Sequence, residues 1–149
     1  MNIIYEDAWR LYDEDDKYIL CITTNGFIKK NGANVMGAGI AKQAKERFKN
    51  IDLHFGNLIK KNGHIVQPIG DRLLSFPVKD FWYNNAKLDI IIDSLKQLNA
   101  IALFNPDKIF ILPKPGCGNG RLKWDDIKDV IEKHIVDNII IVDFKESEK

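Results

Sequence analysis

The sequence predicts an α/β fold, a three-layer α/β/α domain whose central sheet is mixed, largely parallel and about six strands wide. Three observations predict it. Several short runs are apolar on successive residues, as in Tyr18-Ile19-Leu20-Cys21-Ile22 and Lys108-Ile109-Phe110-Ile111-Leu112, the mark of strands covered on both faces. Stretches with apolar residues three and four apart lie between them. Polar, glycine-bearing loops link the end of a strand to a following helix at two places.

Residues 1–6 read as a first strand through Ile3 and Ile4, which Asp7-Ala8-Trp9 leaves; Asp13-Glu14-Asp15-Asp16 reads as a solvated turn. The second strand, 18–22, ends at Thr23-Thr24-Asn25. An excursion from Phe27 to Asn34 then precedes Val35-Met36-Gly37-Ala38-Gly39-Ile40-Ala41. Ile40, Ala41, Ala44 and Phe48 have helical spacing. Residues 53–59 read as a further short helix, stopped at Asn62-Gly63. His64-Ile65-Val66 and Leu73-Leu74-Ser75-Phe76 read as short strands on either side of 68–71, which reads as a hairpin or a loop, with Pro77 ending the second. Leu88, Ile91, Ile92, Leu95 and Leu98 predict a long helix to about Leu103. The strand at 108–112 leads into Pro115-Gly116-Cys117-Gly118-Asn119-Gly120. Asp125 and Asp126 suit a helix start, with Ile127, Val130, Ile131 and Ile135 as its stripe. Residues 138–144 close the chain as a last strand.

A chain of 149 residues predicts one domain over 1–149, able to bury roughly two-thirds of its unfolded surface. Its 22 basic and 21 acidic residues balance to +1, so no bulk charge argues for tight nucleic-acid binding; Lys29-Lys30 is only a two-residue basic patch. No apolar run approaches a membrane span, the first residues lack the basic start of a signal peptide, and two cysteines make no disulfide framework. A cytoplasmic monomer without membrane contact is expected. His54, His64 and His134 lack metal spacing, so neither a metal nor a cofactor is expected.

Both glycine loops follow the carboxyl ends of apolar strands, the edge where open α/β sheets bind ligands. A strand, a glycine loop and a helix N-terminus bring backbone N–H groups against a phosphate. Two such loops facing one crevice suit a diphosphate. The spacing is not that of Gly-x-Gly-x-x-Gly after a strand, and the Lys-Ser/Thr of a P-loop is missing.

Four motifs in order resemble a macro domain: Thr23-Thr24-Asn25, Val35 to Ala41, Phe76-Pro77-Val78-Lys79-Asp80-Phe81-Trp82, and Pro115 to Trp124. The sequence is most similar to the branch of the DNA ADP-ribosyl glycohydrolase antitoxins and terminal ADP-ribose protein glycohydrolase. The resemblance implies an ADP-ribose site, with ADP-ribose or an ADP-ribosylated nucleic acid, protein or metabolite as partner. It implies that Asp7 takes the adenine amine beside the Ala8 N–H, and that Asn25 faces the distal ribose. Met36, Gly37, Ala38, Gly39 and Ile40 line one side of the diphosphate. Pro115, Gly116, Cys117, Gly118, Asn119, Gly120 and Arg121 line the other, and Phe144 lies near adenine. Lys79 is implied as the catalytic group at the anomeric carbon, with Asn25 as its companion. A buried lysine of depressed pKa can act as an amine nucleophile, or Lys79 can be a phosphate or surface partner.

Two departures stand out. Gly120 occupies the position of an acidic residue in terminal ADP-ribose protein glycohydrolase, and the insertion from Lys29 to Asn34 alters the rim. Trp82 and Trp124 read as packing residues, and Cys117 lacks a histidine to activate it. The expected function is hydrolysis of an ADP-ribosyl linkage. The alternatives are a phosphatase acting on ADP-ribose 1″-phosphate and a non-catalytic ADP-ribose reader.

Overall fold

A computed structural model describes residues 1–143. Its strands are β1 (Asn2–Tyr5), β2 (Tyr18–Asn25), β3 (Pro68–Gly70), β4 (Leu73–Lys79), β5 (Ile109–Pro113) and β6 (Ile139–Asp143). Its helices are α1 (Ala8–Glu14), α2 (Gly39–Arg47), α3 (Ile51–Asn62), α4 (Leu88–Phe104) and α5 (Trp124–His134). The strands form one sheet in the order β1-β6-β5-β2-β4-β3. Every pairing is parallel except that of β3 with β4.

Alternation along the strands explains their unbroken apolar runs, since successive side chains enter opposite faces. Leu20, Ile22 and Ile111 point into a core shared with α1, α2 and α3. Cys21, Phe110 and Leu112 point into a second core under α4 and α5. Both faces are covered, which gives the three layers expected of the sequence.

Several local expectations are corrected. Residues 8–14 are helical because Ala8, Trp9, Leu11 and Tyr12 make one buried face, while Asp7 caps the start by accepting from the Trp9 N–H at 2.9 Å. The acidic run therefore begins inside a helix and ends beyond it. The helix after α2 is longer than 53–59, running from Ile51 to Asn62.

Residues 64–66 form no strand. Side chains satisfy their backbone instead: the Val66 N–H donates to Gln97 Oε1 and the Ile65 carbonyl accepts from Ser75 Oγ. The segment expected to be a hairpin or a loop supplies β3, which pairs antiparallel with β4. Nor does Pro77 end its strand, because β4 continues to Lys79. The Ser75 N–H reaches the Gln67 carbonyl on the β3 side. Two residues on, Pro77 turns its missing donor the same way, past the end of β3, where no ladder bond is forfeited. Its carbonyl accepts from Ser94 Oγ at 2.7 Å. Among the described residues, no helix is long and apolar enough to cross a membrane.

Candidate ligand cleft and its buried lysine

A cleft of about 980 Å³ crosses the carboxyl edge of the sheet. Its wall contains the ends of all five parallel strands: Glu6 follows β1, and Asn25, Lys79, Pro113 and Asp143 end β2, β4, β5 and β6. From β1 to β4 the sheet order gives four strand spacings, about 19 Å, a span for an extended dinucleotide-sized ligand.

The two glycine loops face this cleft. Gly37, Ala38, Gly39 and Ile40 carry the wall into the N-terminus of α2, where Ala38 caps the helix without a side-chain hydrogen bond. That leaves first-turn N–H groups for an anionic ligand. Opposite them, Gly116 to Arg121 form a tight loop. The Leu122 N–H returns to the Gly116 carbonyl, and the Gly120 carbonyl accepts from the Ala86 N–H, both at 2.9 Å. A Cβ at Gly120 would lie 2.6 Å from the Gly116 oxygen and 2.7 Å from the Ala86 Cβ. The absence of an acid here is thus a packing requirement of the loop.

Lys79 is only 5% exposed although it lines the cleft. Its Nζ donates to the carbonyls of Trp82 and Asn84, each at 3.1 Å. Burial, with a smaller push from Arg121, holds its ammonium below the usual lysine range. Asn25, 7% exposed, donates from Nδ2 to the Val35 carbonyl at 2.8 Å and accepts the Phe27 N–H at Oδ1 at 2.9 Å. At the other end, Asp7 keeps its capping bond while lining the cleft beside Ala8.

The structure therefore brings Asp7, Ala8, Asn25, Gly37 to Ile40, Lys79 and Gly116 to Arg121 to one cleft. It does not bring Met36 or Pro115 to its wall: Met36 is 2% exposed within the core, and Pro115 is buried. Phe144 lies outside the described residues. Cys117 lines the cleft, but burial pushes its thiol up to about 11, so it stays protonated near neutrality. Among the described residues no group of His, Cys, Asp and Glu could hold a metal.

Trp82 is not a packing residue. It is 48% exposed and lines the cleft, edge-on to Tyr83, because the Lys79 ammonium binds the loop by its carbonyls and leaves the rings outside. Trp124 is half-buried against the second core, beneath Lys114 Nζ. Sequence reasoning missed the partly buried pair of Lys114 Nζ and Asp143 Oδ2, 2.7 Å apart at the Asp7 end. Their positions at the ends of β5 and β6 were the available signal.

The chain is a three-layer α/β domain with two glycine loops across its parallel strand ends, an arrangement that suits a phosphorylated ligand. Its fold is that of the macrodomains. The macrodomain of Mycobacterium tuberculosis DarG matches with a TM-score of 0.69 at 25% identity, over 94% of this chain and 96% of that one. The Thermus aquaticus DarG macrodomain gives 0.70 at 21% identity, covering 97% of each chain. Thermosipho africanus DarTG, solved in complex with ADP-ribose, gives 0.68 at 20% identity, over 89% of this chain and 39% of that one. A curated DNA ADP-ribosyl glycohydrolase of Thermus aquaticus is 26% identical over 115 residues, 69% of this chain. The match spans 31% of that relative's length. No protein-family model matches.

Proposed function

We propose that this chain is a single macrodomain that binds ADP-ribose and hydrolyses an ADP-ribosyl linkage, with Lys79 acting at the distal ribose. The observation that carries the reading is the pairing of a buried amide, Asn25, with a buried amine, Lys79, in a cleft flanked by two glycine loops. Asp7 and the Ala8 N–H receive adenine, the two loops hold the diphosphate, and the distal ribose lies over the ends of β2 and β4. The DarTG complex with ADP-ribose and the named activity of the Thermus relative support the ligand and the reaction class.

The chemistry follows from the amine. An ammonium has three hydrogens, two of which the Trp82 and Asn84 carbonyls engage. Deprotonation replaces the third by a lone pair while both carbonyl contacts persist, so a neutral Lys79 stays anchored. That lone pair adds to C1″ as the bond to the modified group breaks and its electron pair departs with that group. Water then displaces the lysine and releases ADP-ribose.

A reader function is the second reading. The two carbonyls also stabilise the ammonium, and Gly120 has no space for a carboxylate to assist the water. The two readings separate in a panel of ADP-ribosylated DNA, glutamate-linked protein and ADP-ribose 1″-phosphate, run with wild type and Lys79→Ala. Glycohydrolysis predicts turnover of a glycosidic substrate that the variant loses while still binding ADP-ribose. Binding without turnover of any member marks a reader. Turnover of the 1″-phosphate alone marks a phosphatase.

A further inference from the structure

We propose that Asn34 is a positioning residue for the ligand site, fixing the Asn25 amide so that it meets the ligand as a hydrogen-bond donor. The inference rests on the proposed function in one respect, the placement of the distal ribose at Asn25.

The inserted segment that carries Asn34 is a built element. Ile28 and Asn34 form an antiparallel bridge, and the Lys29 N–H donates to the Ala33 carbonyl at 2.8 Å. The segment is seated on α3: the Asn34 N–H donates to the Asp52 carbonyl at 3.0 Å, and Gly56 lets the Gly32 carbonyl approach so closely that a Cβ would lie 1.9 Å from its oxygen.

Within this element the Asn34 side chain is buried, with 1% of the residue exposed. Its Nδ2 donates to the Asn25 carbonyl at 2.9 Å, to Asn25 Oδ1 at 3.3 Å and to the Phe27 carbonyl at 3.0 Å. Its Oδ1 is buried without a hydrogen-bond partner among the described residues, an arrangement that is unfavourable in itself. Position 34 therefore spends its amide on donors directed at Asn25 and Phe27.

The consequence falls on Asn25. Asn25 Oδ1 accepts from the Phe27 N–H and from Asn34, and one Nδ2 hydrogen goes to the Val35 carbonyl. What remains for the cleft is the second Nδ2 hydrogen. Turning the amide over would set its NH₂ against two donors and its oxygen against the Val35 carbonyl. The protein thus holds Asn25 as a donor, suited to a ribose hydroxyl or ring oxygen.

The test compares ADP-ribose with ADP, which lacks the distal ribose, by calorimetry on wild type, Asn34→Ala, Asn25→Ala and the double variant. Asn34→Ser, which keeps one donor, is run beside them, with thermal unfolding as the check of folding. Asn34→Ala is expected to weaken ADP-ribose about tenfold while ADP stays within about twofold, and Asn34→Ser to fall between. The double variant is expected to be no weaker than Asn25→Ala. Equal losses for ADP-ribose and ADP, or losses that multiply in the double variant, overturn the inference alone. If Asn34→Ala does not fold, Asn34→Ser decides on the same ligand comparison. A wild-type protein that binds neither ligand overturns the functional reading and this inference with it.

Discussion

Asn25 and Lys79 are register partners at the ends of the adjacent parallel strands β2 and β4, one step out of phase with Thr24 and Pro77. Had the register continued from Thr24 and Pro77, Asn25 would stand opposite Val78. The slip brings the lysine to that level instead, and such irregularities re-aim side chains near functional sites. The backbone then secures both groups, Asn25 through the 27–35 segment and Lys79 through the Trp82 and Asn84 carbonyls.

The proposed mechanism makes the protonation state of Lys79 set the pH dependence of turnover. In that mechanism the nucleophile is the neutral amine, so rate is expected to rise with pH through the lysine pKa, which burial and Arg121 hold below its ordinary 10.5. Removing the Arg121 charge relieves part of that depression. In a pH–rate profile of single turnovers, Arg121→Gln is expected to move the rising limb to higher pH. An unmoved limb means that Arg121 does not tune the amine.

Gly120→Asp is expected to lose rather than gain activity. The new Cβ would meet the Gly116 carbonyl and Ala86 before its carboxylate reached the cleft. Chemical unfolding should show a destabilisation of roughly 1–3 kcal/mol, accompanied by weaker ADP-ribose binding as the loop shifts. A variant of unchanged stability and higher turnover would show that the loop adapts.

His64 predicts an acid sensitivity outside the cleft. It hydrogen-bonds Thr24 Oγ1 through Nε2 at 2.9 Å, and burial pulls its imidazole from 6.5 down to about 4, against a smaller opposing push from Asp80. Between those values the unfolded chain binds the proton and the folded chain does not, so stability rises with pH across this window. The stability from neutral His64 is complete above pH 6.5 and is lost as pH falls to about 4, a change of about 3 kcal/mol. Urea unfolding across pH 4 to 7 measures the slope, which His64→Gln should flatten.

Legibility in the sequence followed how many residues carried each signal. The strands at 18–22 and 108–112 and the helix α4 were plain because burial on both faces, or along one long stripe, writes a pattern over many residues. Helix α1 was not, since seven residues give barely two turns and its end runs into an acidic stretch that resembles a turn. Pro77 misled because its tolerance depends on where β3 stops, a tertiary fact. At the cleft, Asn25, Lys79 and the glycine loops could be picked out by motif. Trp82 was misread because its exposure depends on the Lys79 contacts to the loop backbone. The Lys114–Asp143 pair needed the adjacency of β5 and β6, which no local pattern reveals.

The central claim is that Lys79 supplies the reacting amine, and single-turnover hydrolysis by Lys79→Ala, with ADP-ribose affinity measured on the same preparation, tests it most directly. The account predicts ADP-ribose binding within about threefold of wild type and a rate lower by at least about a thousandfold. Wild-type turnover in the variant would contradict it.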